Sequence, residues 1–406
     1  MRWKNTGQGW ARDRERGQAL ILVMLVLLVV AVLGTGAITL AASHRQTAAR
    51  QRNLVQAYYA ADAGVERALV KIRNEPGWFN GLPFGVEQLV FSDVPYAGGK
   101  IQKVTLKKAP AGIATRVEIT SVGIFGPQER PLARKTLNVS VLVSAASDLL
   151  KGVSILPEQP TRLNIGGNFS LQPAQNVDGV RFVLNGDLDL GGSSEIVGDV
   201  YVSGTIKGSD KIRGSAYDRY AGIPTFPVID EEWYKTEAQS SGHYYEDDAV
   251  LGSRSGTTLY AGVYFAEGTI EISGTYSGRA VIVAKGGITV DRDLRASSGN
   301  DFLVLVSLAD VSIENSSVDA VVIAAGAFQA WGNATLYGGV IARQFVLGGS
   351  KQDKDGKKDG EGQGGGGKVT IVCNPQLIMQ NLPQDVLQGV SSSIKIASWR
   401  EGYPVL

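Results

Sequence analysis

Cysteine and histidine are almost missing from this chain. Of 406 residues, one is cysteine, Cys373, and two are histidine, His44 and His243. A single cysteine excludes an intrachain disulfide. Two histidines, one at each end of a long stretch, exclude a histidine metal site and leave no convincing catalytic triad. An excess of either charge is missing too: forty Lys and Arg balance thirty-nine Asp and Glu, for a formal charge of +1. A nucleic-acid binder needs a clustered positive excess, so nucleic acid is not an expected partner. What is plentiful is glycine, with 51 residues where an average chain carries about 7%. These glycines punctuate Val- and Ile-rich segments, the mark of many short strands joined by tight turns.

The other abundant feature is one apolar run. No residue from Gln18 to Ser43 is charged, and Ala19 to Leu33 is apolar without a break. Twenty-six helical residues span about 39 Å, enough for a hydrocarbon layer of ~30 Å. Arg2, Lys4, Arg12, Arg14 and Arg16 stand before it against Asp13 and Glu15, which favours an internal amino terminus. The helical pattern then continues in "NLVQAYYAADAGVERALVKIR". Leu54, Tyr58, Ala61, Val65, Ala68 and Ile72 recur every three or four residues as one apolar stripe. "NEPG" at 74 to 77 stops it, because Pro76 cannot continue the hydrogen-bond ladder. The pattern predicts one helix of roughly 80 Å from Ala19 to Arg73, suited to lipid in its first half and to a protein surface in its second.

The charged leader ending in Gly17, the apolar run from Ala19 and "AYYAADAGVERAL" at 57 to 69 resemble the PilX-type minor pilins of type IV pilus systems. The resemblance covers roughly residues 12 to 73. It implies that a prepilin peptidase cuts between Gly17 and Gln18, and that the helix is first a membrane anchor and later the packed spine of a filament. It also implies other pilins, the pilus assembly machinery and inner-membrane lipid as partners. Leu22 departs from the family, which carries a glutamate at this fifth mature position to neutralise a neighbouring subunit's amino terminus. An unpaired buried ammonium costs several kcal/mol, so the departure implies a place at a tip or initiation complex. Two other readings suit the same hydrophobicity: an anchor that is never processed, and a secretory signal cut near "LAAS" at 40 to 43.

Further along, "IQKVTLKK", "TRVEITSVGIF" and "ARKTLNVSVLV" alternate apolar and polar residues, with turn material between them, and predict an antiparallel meander covering the stripe from Leu54 to Ile72. From about Leu149, short β-branched runs separated by Gly, Asn, Asp or Ser repeat at 17 to 22 residues from Ala280 through Phe302 and Ala320 to Gly339. That spacing suits the coils of a parallel β-solenoid, with a β-sandwich as the alternative. This half resembles β-helical ectodomains attached to some PilX-type proteins. Two segments interrupt it. In 221–248, Asp230 to Gln239 reads as a short helix capped by Asp230, with Glu231 and Glu232 at its positive end. The tract at 348–368 is low-complexity.

Several motifs bear on chemistry. "GQGGGGK" at 362–368 lacks the preceding strand, the following helix and the hydroxyl of a phosphate loop. "DKDGKKDGE" at 353–361 places Lys357 and Lys358 where a calcium loop needs a ligand and a glycine. Asp187 with Asp189 and Asp291 with Asp293 are carboxylate pairs of the kind glycosidases use, yet such pairs also arise at strand ends. Tyr217, Tyr220, Trp233, Tyr234, Tyr244 and Tyr245 are candidates for stacking on sugars or a partner. Cys373 reads as a small core residue. The four Asn-x-Ser/Thr sites, at Asn138, Asn168, Asn315 and Asn333, are as many as chance places on such a surface.

The chain thus reads as α+β and mostly β: a long amino-terminal pilin-like helix, an antiparallel meander, then a parallel β-solenoid. The expected division is a leader at 1–17, a spine helix at 18–73 and a sheet at 74–148. A solenoid at 149–349 follows, with an insertion at 215–250. A disordered loop at 350–368 and a last coil and tail at 369–406 complete it. No cofactor, metal or enzymatic activity is expected. The processing residues are Gly17 and Gln18; the helix residues are Leu22, Leu54, Tyr58, Ala61, Val65 and Ile72. The expected protein is a single-pass membrane component of a type IV pilus or related system, with its carboxy-terminal part outside the cytoplasmic membrane, where adhesion is one role open to it. The rival is a secreted or anchored β-helix that binds or cleaves polysaccharide.

Overall fold

Proline is absent from the first 75 residues, and the helix runs as far as that absence allows. In the computed structural model, which describes residues 9–175, 177–252, 259–348, 367–382 and 389–402, α1 spans Gly9–Asn74 without interruption. Its 66 residues extend about 99 Å. It begins ten residues before the expected Ala19, because "ARDRER" contains good helix formers and no breaker. Within the apolar run, the Thr35 and Thr39 hydroxyls donate to the carbonyls of Ala31 and Thr35 at 2.9 and 2.8 Å, so these polar groups need no outside partner. Pro76 opens the short α2, Pro76–Gly81, where its missing N–H costs nothing. Residues 1–8 of the leader, 350–366 of the expected loop and 403–406 of the tail lie outside the described residues.

Four antiparallel strands follow: β1 (Glu87–Tyr96), β2 (Gly99–Ala111), β3 (Ala114–Phe125) and β4 (Ala133–Ser144). A fifth, Ser393–Gly402, pairs with β4 and closes the sheet. The tail expected to finish the solenoid therefore departs from it and returns to the first sheet. β1 and this closing strand lie outside the predicted meander, because half-exposed edge strands carry a weak alternation.

α1 lies on β2, β3 and β4, and small residues set the distance. Ala57, Ala60, Ala61, Val65, Ala68 and Ile72 are fully buried. A Cβ placed on Gly123 of β3 would sit 2.1 Å from the Ala57 carbonyl oxygen and 2.4 Å from the Ala61 nitrogen. One placed on Gly64 would meet the Ser121 hydroxyl at 2.3 Å. Helix and sheet thus touch backbone to backbone. Leu54, expected beneath the sheet, is 39% exposed, because the sheet ends opposite Ala57. At the other end of the contact, Lys108 is buried and its ammonium donates to the Phe79 and Leu82 carbonyls at 2.9 and 3.1 Å. Desolvation holds its pKa below the usual lysine value.

The second body is a parallel β-solenoid of about nine turns. Its strands do not stack in chain order. Gly152–Ile155 pairs on one side with Arg181–Leu184, which pairs with Asp199–Val202, which pairs with Ala216–Tyr217. The later coils run from Tyr244–Tyr245 through Gly262–Ala266, Arg279–Ala284, Phe302–Ser307 and Val321–Trp331 to Val340–Leu347. That last strand lies against Gly152–Ile155, with Val340 beside Val153. On a second side, Lys368–Cys373 pairs with Asn168–Pro173 in the same way. The chain therefore enters and leaves the stack at its middle, and the entry follows directly from the antiparallel sheet.

Residues 218–243 must then connect opposite ends of the stack. Nine strand spacings of about 4.8 Å amount to roughly 43 Å, which an extended chain of about 13 residues covers. This strap carries the predicted helix, found as Glu231–Ser241, with the Asp230 carboxylate accepting from the Trp233 N–H at 3.0 Å. The expected insertion at 215–250 is thus narrower, since Ala216–Tyr217 and Tyr244–Tyr245 belong to the terminal coils. The strap also bonds the exit segment: Asp230 N–H donates to Gly389 O at 2.7 Å, and Ser391 N–H donates to Val228 O at 2.9 Å. Tyr220 reaches the sheet, donating to Ala111 O at 3.1 Å.

Backbone-to-backbone contact makes Gly123 intolerant of even one carbon. Gly123→Ala is expected to cost about 2–3 kcal/mol and to lower the thermal midpoint followed by circular dichroism. Gly77→Ala, which nothing approaches within 4 Å, is expected to leave that midpoint unchanged.

Candidate functional site

Amphipathic and apolar halves of one helix meet near residue 54, and that boundary defines the site. From Leu20 to Leu40 every large apolar side chain is exposed; Leu22 is 66% and Leu28 65% exposed. None of this part of the helix is buried in the molecule, and it is long and apolar enough to cross a membrane. Leaving such side chains in water costs about 1.5–3 kcal/mol each. The run therefore requires a covering that the described residues do not provide. Beyond it, Ala61, Val65 and Ile72 are sealed under the sheet, while Tyr58 sits at the margin, edge-on to Tyr59 with ring centres 5.9 Å apart. Gly17 and Gln18 lie within the helical turns of α1.

The candidate carboxylates hold coils together. Asp187 accepts from the N–H and hydroxyl of Thr205 in the next coil, at 2.6 and 2.8 Å. Asp189 pairs with Arg162 at 2.7 Å. Asp293 accepts from the Ser317 N–H at 2.9 Å. Others at turns repeat the device: Asp248 takes the Thr269 N–H at 2.6 Å, Asp310 takes the Ala327 N–H at 2.7 Å, and Asn315 takes the Asn333 N–H at 3.2 Å. A coil's turn leaves an N–H without a ladder partner, and the preceding coil's Asp or Asn supplies the acceptor. These bonds pull the carboxyls of Asp187 and Asp248 below the usual aspartate value, and the Gly278 N–H does the same for Asp301.

Another polar cluster fastens the strap helix. Glu267 accepts from Lys235 at 2.5 Å, from Tyr244 at 3.1 Å and from Lys285 at 3.3 Å, and Lys285 also meets Glu231 at 2.9 Å. Led by the Lys235 hydrogen bond, these donors lower the Glu267 pKa to about 2. The aromatics serve packing. Tyr234 is fully buried, Tyr217 stacks on Tyr201 with ring centres 4.6 Å apart, and Tyr244 lies over Phe265. His243 stacks on Tyr264 at 4.1 Å. Cys373 is buried, and desolvation pushes its thiol up to about 12, too high for a nucleophile at neutral pH. Among the described residues, no group of three His, Cys, Asp or Glu is placed to hold a metal. The phosphate-loop and calcium-loop matches fall almost wholly outside the described residues.

The chain thus combines a bare apolar helix, an antiparallel sheet on the second half of that helix and an appended solenoid. The comparisons bear on the amino terminus: residues 16–66 match the family model for the PilX N-terminal region, and the helix there is long and apolar enough to fit a single-pass membrane anchor. The competence-associated pilin ComZ of Thermus thermophilus is similar at 13% identity and a TM-score of 0.34, over 86% of this chain and 97% of that one. No curated protein matches the chain.

Sequence reasoning missed the closeness of the helix-to-sheet contact at Gly123. The spacing of Ala57, Ala60, Ala61, Gly64 and Ala68 carried that signal: small residues on one helix face permit a backbone approach.

Depressed carboxyl pKa values translate into a pH dependence. The stabilisation from Asp187, Asp248 and Asp301 is complete above their unfolded value of 3.8 and is lost as pH falls through the lower folded values. The thermal midpoint is expected to fall steeply below about pH 4. The triple variant Asp187→Asn, Asp248→Asn, Asp301→Asn is expected to flatten that fall; an unchanged profile contradicts the assignment.

Proposed function

We propose that this protein is a minor-pilin component of a type IV pilus or a related system, matured by a prepilin peptidase between Gly17 and Gln18. One observation carries the proposal: the apolar rod from Leu20 to Leu40 is uncovered and continues without a break into a stripe sealed by a sheet. Before assembly, inner-membrane lipid covers that rod; afterwards the helices of other pilins do, brought together by the pilus assembly machinery. The sheet and solenoid lie on the extracytoplasmic side, and the solenoid is the exposed, adhesive module. Leu22 leaves a neighbouring amino terminus without a carboxylate, which suits a tip or initiation position rather than a repeating place in the shaft. The protein acts by assembly and contact, not by catalysis. The carboxylates weighed for a glycosidase role at Asp187, Asp189 and Asp293 hold neighbouring coils, which favours this reading over a polysaccharide-cleaving one.

Mass spectrometry of the protein from cells tests the maturation. A first residue of Gln18, methylated, is expected, and Gly17→Leu is expected to leave the leader attached. A mature start near His44 favours secretion instead. Immunogold labelling is expected at one end of the filament; label along its whole length removes the tip assignment.

A further inference from the structure

Outward-facing side chains on the later coils line up in register across the sheet. Thr289 is beside Ser312, and Ser312 is beside Gln329. One step further along the same strands, Glu314 is beside Trp331. Between these rows lies a groove of about 250 Å³, with Thr269 and Asp310 at its margin. Its floor is low because Gly286, Gly287, Thr289 and Ser312 are small, and half-buried Trp331 forms its tallest wall. Gln329 is held in place, its amide donating to Asp310 at 2.8 Å, while Asp310 is itself fixed by the Ala327 N–H.

We infer that this groove binds a neutral oligosaccharide, and the inference rests on the reading of the solenoid as an exposed adhesive module. The lining selects among ligand classes. The lining mixes polar and apolar surface in nearly equal parts, and a wholly apolar ligand such as a lipid would offer the groove's hydroxyl, amide and carboxylate groups no hydrogen bonds. Asp310 and Glu314 oppose polyanions, which removes nucleic acids and acidic polysaccharides. The strands beneath the groove are paired on both sides, so an extended peptide finds no open edge to extend. A sugar suits both kinds of wall: its C–H face packs on the indole, and its hydroxyls meet paired donors and acceptors. The rows repeat at the strand spacing of about 4.8 Å, so successive units of a chain meet successive rungs.

The test uses the full-length protein in lipid nanodiscs on a printed array of neutral and acidic oligosaccharides. Binding to neutral glycans is expected, with affinity reduced about tenfold or more by Trp331→Ala and by Gln329→Ala, at unchanged thermal midpoints. Absence of binding to any neutral glycan, preference for acidic glycans, or full binding by Trp331→Ala overturns the inference. Incorporation of the wild-type protein into filaments, followed by immunogold, separates the two levels. Normal incorporation with a blank array sinks the glycan site alone, whereas failed incorporation sinks the pilin reading whatever the array shows.

Discussion

Between Ala57 and Gly64, α1 meets its sheet through side chains too small to hold the backbones apart. This contact decides where the helix stops being part of a folded domain and starts being a free rod. Tight packing fixes the helix axis relative to the sheet, because an interior at crystal-like density cannot slide by a fraction of a residue. The rod's direction is therefore set by Gly123 and Gly64, far from the rod itself. Whatever covers residues 20–40 receives a stiff element already aimed. No proline interrupts the helix between its two halves.

The same economy of connection recurs at the solenoid. A stack entered at one end would hang from the sheet by a single strand crossing and pivot there. Entry at Gly152 and exit after Cys373 fall on adjacent coils in the middle of the stack, on two of its sides, and give two crossings there. The strap adds a third tie, since it bonds both the exit segment and the sheet on its way between the solenoid ends. The module is thereby tied to the antiparallel sheet at more than one point.

Much of this was legible in the sequence, for reasons that are physical and local. The apolar run, the stripe from Tyr58 to Ile72, the alternation in β2 to β4 and the cap at Asp230 are all written within a few turns or strands of themselves. Solenoid texture was legible because each coil repeats the same demand for a Gly or Asp turn. The order of the coils was not, because parallel strands with similar Val and Ile faces specify that they stack without specifying on which neighbour. The closing strand at Ser393–Gly402 was hidden by distance: its partner β4 lies some 250 residues earlier. The carboxylate pairs could be read from the sequence only as residues that also arise at strand ends; that Asp187 and Asp248 each take a threonine N–H of the next coil required the fold.

The central claim is that the exposed half of α1 is covered first by lipid and then by the helices of other pilins. A photo-crosslinking amino acid at Leu27 in living cells tests it most directly. The expected adducts are lipid when assembly is blocked and another pilin's amino-terminal helix when filaments form. Adducts confined to lipid in filament-bearing cells, or a secreted protein that gives none, would contradict it.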